Sequence, residues 1–148
     1  MISMLLLRSS HLQLNSIPLL VLVRVEVLNF PGTNMLLQET YQGNPWKMMI
    51  CCILLNQTTS KQVKGILKEL FTHYPDAIDM SEGHLNDIAE IVKPCGLQNK
   101  RALSLKTFSE QWCTFDSNTP IIKYYGIGGY AEDSWNIFVE GKIDEYVQ

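Results

Sequence analysis

Tyr125-Gly126-Ile127-Gly128-Gly129-Tyr130-Ala131 decides the fold. It follows a short apolar segment, Ile121-Ile122, and leads into a stretch that places Tyr130, Ser134, Trp135 and Phe138 on one side of a helix. The spacing predicts a helix, a glycine turn and a second helix. Glycine tolerates positive φ and lets another backbone come close. The backbone amides at the start of the second helix then favour an anion through the helix dipole. A DNA phosphate suits that place, and such contacts position a duplex without reading its sequence. Two other readings of the glycines stand beside this one. A tight helix connection needs glycine for steric reasons alone, and a glycine-rich loop can hold a dinucleotide. The dinucleotide reading is set aside, because no strand precedes the turn and no βαβ unit surrounds it.

Outward from the turn, the pattern from Asn44 onward is helical. Trp46 to Leu55 is apolar almost all round, as a central buried helix should be. It runs into Asn56-Gln57-Thr58-Thr59-Ser60, whose hydroxyls can cap the next helix. That helix sets Val63, Ile66, Leu67, Leu70 and Phe71 on one stripe, with Lys61, Lys64 and Lys68 facing away, and ends near Tyr74-Pro75. Ser81-Glu82 is expected to open a further helix carrying Leu85, Ile88, Ala89 and Val92, stopped by Pro94. After the turn Cys95-Gly96-Leu97, Ala102, Leu105, Phe108 and Trp112 recur at helical intervals. The expected fold is all-α, a single domain with short connections and no internal repeat.

Composition narrows the classes. With 148 residues, 46% hydrophobic and 18% charged, the chain can bury one real core as an ordinary globular domain does. A net charge of −3 is not the basic face of a typical nucleic-acid binder. Net charge governs solubility and non-specific binding, however, so a small DNA-binding surface can sit on a mildly acidic protein. Cys51, Cys52, Cys95 and Cys113 show no metal-ligand spacing, so no metal or cofactor is expected and the thiols read as buried and free. Residues 1–34 differ in character and read as a variable or poorly ordered segment. Arg8 and Arg24 interrupt its apolar runs, which fall short of the ~20 residues of a membrane span. Residues 21–27 alternate as a strand would, and arginine and serine with few acids admit an organellar leader.

From residue 35 to 148 the chain resembles the methyl-CpG-binding domain protein 4-like DNA glycosylases, within the helix-hairpin-helix, endonuclease III-like superfamily. The resemblance rests on the order and spacing of several blocks. They are Leu37-Gln38-Glu39-Thr40, Pro45-Trp46-Lys47, Leu54-Leu55-Asn56-Gln57-Thr58, Lys93-Pro94-Cys95-Gly96-Leu97, Lys100-Arg101-Ala102, Gly126-Ile127-Gly128-Gly129-Tyr130 and Asp133-Ser134-Trp135-Asn136-Ile137-Phe138.

The resemblance implies base-excision DNA repair in the nucleus. A monomeric hydrolase would act on double-stranded DNA and flip thymine or uracil out of a G·T or G·U mismatch before cutting its glycosidic bond. Gln57 matches a residue that fills the gap left in the duplex, and Leu97 an apolar wedge. A polar cap between helices is the other reading of Gln57, and a core contact that of Leu97. Gln38 matches a glutamine that reads the extruded pyrimidine with its amide, and Tyr130 a tyrosine lining the base pocket. A core aromatic is the other reading of Tyr130. Superfamily members with lyase chemistry carry a Schiff-base lysine at that position, so tyrosine implies a monofunctional enzyme. Gly126, Ile127, Gly128 and Gly129 form the phosphate-binding hairpin. The family's catalytic aspartate, about two dozen positions past the first hairpin glycine, falls at the chain's end or just beyond Gln148. Asp144 lies a few positions too early, without the family's preceding proline, and is not given the role. The expectation is a partial glycosylase domain, and the alternative is a DNA-binding module without catalysis or a truncated isoform.

Overall fold

A computed structural model describes residues 36–142. The alternating stretch 21–27 and Asp144 lie outside the described residues. Seven α-helices and two short 3-10 turns make up this part. They are α1 (Leu37–Thr40), α2 (Pro45–Leu55), α3 (Ser60–His73), α4 (Ala77–Glu82), α5 (Leu85–Val92), α6 (Gln98–Trp112) and α7 (Gly129–Phe138). The 3-10 turns are Lys93–Cys95 and Ile121–Lys123. No strand occurs among the described residues, and none of their helices is long and apolar enough to cross a membrane.

Helix α2 is the centre. The Asn44 side chain caps its first turn by accepting from the Lys47 amide, and Pro45 sits at N1, where a missing N–H costs nothing. Every residue from Met48 to Leu54 is buried, so α1, α3, α6 and α7 pack around it. Inside this shell the Trp46 indole N–H donates to the Ser109 hydroxyl at 3.0 Å, which joins α2 to α6. Thr59 caps α3 in a reciprocal box with Gln62. Its apolar stripe Val63, Ile66, Leu67 and Leu70 is buried, while Lys61, Lys64 and Lys68 are exposed.

Two expectations need correction here. Ser81-Glu82 do not open a helix; they close α4, which starts after the Asp76 cap. The Ser81 hydroxyl donates back to the Ile78 carbonyl at 2.7 Å, and the next helix begins only at Leu85. The second correction concerns the thiols: Cys51, Cys52 and Cys95 are buried, but Cys113 is exposed at the end of α6.

Burial pushes the Cys52 thiol up from its ordinary 9.0 to about 12, and Cys51 upward as well. A group raised in the folded state contributes stability below its unfolded value, and that stability is lost as pH climbs through the folded value. The urea midpoint should therefore hold steady between about pH 7 and pH 8 and fall from about pH 9 upward. A profile flat to about pH 11 would contradict the burial of both thiols. A thiol-reactive disulfide reagent should label Cys113 alone in the native protein and all four cysteines after denaturation.

Candidate nucleic-acid interface

The glycine turn is held from beneath. Ile127 is buried, and its amide donates to the Tyr124 carbonyl at 3.2 Å. The Asp116 amide in turn donates to the Tyr124 hydroxyl at 3.1 Å. Gly126 takes φ 81°, and a Cβ there would lie 3.4 Å from Ser104 Cβ on α6. Gly128 is the N-cap of α7, and its carbonyl accepts from the Glu132 amide at 3.0 Å. A Cβ on Gly128 or Gly129 would meet nothing within 4 Å. Of the three glycines in the turn, only Gly126 must be glycine for reasons internal to the protein. The element before the turn is shorter than the predicted helix, a single 3-10 turn, Ile121–Lys123. Pro120 at its N-cap and the extended Tyr124 at its C-cap leave room for no more.

At the start of α7 lies a buried polar cluster. Gln38 is buried on α1, and its amide N–H groups donate to the Tyr130 hydroxyl at 2.9 Å and the Ser134 hydroxyl at 3.3 Å. Tyr130 and Ser134 share a face because they are four residues apart on a helix. Cys52 of α2 adjoins them; burial raises its thiol, and hydrogen bonds from Ser134 and Gln38 oppose only part of that rise. The cluster thus holds an amide, two hydroxyls and a thiol whose burial favours the neutral form. Ser134 and Cys52 were not singled out from sequence as pocket residues, although the i, i+4 spacing to Tyr130 was a usable signal for Ser134.

Gln57 and Leu97 come together on the same side as the turn. Both line one surface depression with Lys100, Ser104 and Gly126, over a floor that includes Ile53. Both are exposed, Leu97 by 58%, which is unusual for leucine and rules out a core contact. Gln57 has φ 63° and Leu97 φ 48°; no other described residue except glycine has positive φ. That conformation is rare without glycine and asks for a reason. Gln57 is not the cap between α2 and α3, since Thr59 and Gln62 fill that place.

A family model described as HhH-GPD superfamily base excision DNA repair protein matches residues 50–143. The chain belongs to this family. Among HhH-GPD relatives, a methyl-CpG-binding domain protein 4-like protein of Arabidopsis thaliana is 36% identical over 114 residues, covering 74% of the chain and 24% of the relative. A thymine/uracil-DNA glycosylase of Pyrobaculum aerophilum is 32% identical over 95 residues, covering 60% of the chain and 41% of the relative. The chain therefore spans less than half the length of either. The solved structure of a thermostable thymine-DNA glycosylase superposes with a TM-score of 0.66 at 24% identity, covering 83% of the chain and 58% of that structure. The all-helical HhH-GPD fold agrees with that likeness.

The glycines of the turn separate by their roles. Gly126→Ala should destabilise the protein by about 1–2 kcal/mol, because alanine is strained at positive φ. Gly129→Ala, at the first position of α7 with open space around it, should be neutral or stabilise by up to about 1 kcal/mol. Thermal unfolding of both variants checks the pair; equal losses would contradict the assignment.

Proposed function

We propose that this chain binds double-stranded DNA at a mismatch and receives an extruded thymine or uracil, paired with guanine, in the Gln38–Tyr130 pocket. It would serve as the base-recognition part of a monofunctional base-excision glycosylase. The observation that supports this reading is the convergence of Gln57, Leu97 and the Gly126 turn, distant in sequence, on one depression. Extruding a base costs a few kcal/mol, least at a mismatch, and side chains that occupy the vacated stack offset that cost. Leu97 offers an apolar side chain for insertion. Gln57 offers an amide with donors and an acceptor for the orphaned base. The Gln38 amide, already hydrogen-bonded within the pocket, suits the edge of a pyrimidine. The name of the Pyrobaculum aerophilum relative supports thymine and uracil as the bases.

Tyr130 bears on the reaction. A phenol forms no Schiff base, so strand cleavage through a covalent amine intermediate is not part of the reading. A carboxylate near the sugar would stabilise the developing cation or activate water. Among the described residues, this reading gives that role to none. The described residues serve binding and flipping, and the nucleus is where the resemblance puts that work. One copy of the chain suffices.

Two measurements test the proposal. After incubation with a G·T or G·U duplex and alkaline treatment, no strand breaks above background are expected from residues 1–148, although the mismatched duplex is bound. Excision would show that the carboxylate lies within the chain, and absence of binding would sink the DNA reading. Gly128→Asp addresses the turn directly. Aspartate is a better N-cap than glycine, so stability should hold or rise. Its charge should repel a phosphate and weaken duplex binding about tenfold, equivalent to ~1.4 kcal/mol, while neutral Gly128→Asn should not.

A further inference from the structure

Arg101 was only one member of a sequence block, yet it is 7% exposed and its guanidinium is shared between two loops. Nε donates to the Gly96 carbonyl at 2.8 Å, and Nη1 to the Leu54 carbonyl at 2.7 Å. Nη2 donates to the Asn56 carbonyl at 3.1 Å and to the Thr58 hydroxyl. The Arg101 backbone amide also donates to the Leu97 carbonyl at 2.9 Å. One residue therefore holds both neighbours of Gln57, and both Leu97 itself and the residue before it. These are the two positions held at positive φ without glycine. Such strain persists only where the surroundings over-determine it.

We propose that Arg101 is a positioning residue that fixes Gln57 and Leu97 at a set separation, so that both enter the duplex together. This rests on the reading of those two side chains as the ones that fill the vacated stack. The planar fork of a guanidinium can address three directions at once, whereas an ammonium on a flexible stem cannot hold the same acceptors in register. Arg101 also offers a cation to the C-terminal carbonyls of α2, a favourable placement for any helix. That alone would be a structural role, and the two roles differ in what they move. A helix-end role changes overall stability. The positioning role changes how the loops move relative to each other and how far a mismatch opens.

The test uses the full chain with Arg101→Lys and the milder Thr58→Val, which removes one acceptor and keeps the side-chain shape. Gln57→Ala and Leu97→Ala serve as references. Hydrogen exchange in the free protein should show the amides of residues 56–58 and 96–98 losing protection together in Arg101→Lys. Faster exchange in one loop alone would overturn the coupling, whatever the DNA results. With 2-aminopurine beside a G·T mismatch, the fluorescence rise that reports base extrusion should fall about tenfold in Arg101→Lys, and less in Thr58→Val. Affinity for a fully paired duplex should stay within about twofold. Thermal destabilisation with an undiminished signal from the bound protein would leave only the helix-end role and overturn the proposal. If Gln57→Ala and Leu97→Ala keep the full signal, the reading of those side chains fails and this inference with it. If they lose it while Arg101→Lys and Thr58→Val keep it, positioning alone is overturned. Should Arg101→Lys not fold, Thr58→Val decides on the same readouts.

Discussion

Helix α2 has no solvent face between Met48 and Leu54, and the rest of the described fold answers that constraint. The backbone groups at a helix end have no partner within the helix, and here each end takes one from the chain, although Asn44 and Asn56 are exposed. At the start, Asn44 and Pro45 supply it locally. At the finish, the partner comes from α6, where Arg101 takes up the Leu54 carbonyl. The surrounding helices must then lie close enough for side chains such as Trp46 and Ser109 to bond across them. Both candidate DNA-facing regions lie beside this helix. The loop carrying Gln57 leaves its carboxyl end, and the polar cluster of Gln38 and Tyr130 lies against Cys52 on its flank.

How much of this could be read from the sequence depended on whether a residue's partners were local. The all-round apolar run predicted α2, and the lysine face predicted α3, because both signals are contained within one helix. Asn44 and Thr59 satisfy backbone amides three residues away, so their capping is likewise a local matter. Ser81 misled because a hydroxyl near a helix end satisfies either terminus equally well in one dimension. In the folded chain it bonds backward to Ile78. Cys113 is one residue past α6, where the face of the helix no longer determines burial.

The site followed the same rule. Tyr130 and Ser134 stand four residues apart and were visible as a pair on one face, but Gln38 joins them from 92 and 96 residues away. The family resemblance supplied Gln38, Gln57 and Leu97 individually; periodicity could not show that the last two adopt the same rare backbone conformation. Arg101 bonds to oxygens up to 47 residues distant and leaves no trace in the local pattern. The first arm of the hairpin was overestimated for a related reason: Ile121-Ile122 resembles a helix start, but Tyr124 is drawn into the core and its backbone is extended.

The make-up of the buried polar cluster has a consequence for how ionic strength divides recognition into stages. Gln38, Tyr130, Ser134 and a thiol whose burial favours the neutral form supply dipoles but no net charge, and in the proposed reading these are what a flipped base would meet. Phosphate contacts release counterions, so their contribution to affinity declines steeply as salt is added. Interactions between neutral groups in a buried site are screened far less. In the proposed reading, added salt thins out encounters with the DNA backbone while leaving the choice among bases almost untouched. The chain becomes a poorer binder but a hardly less discriminating one.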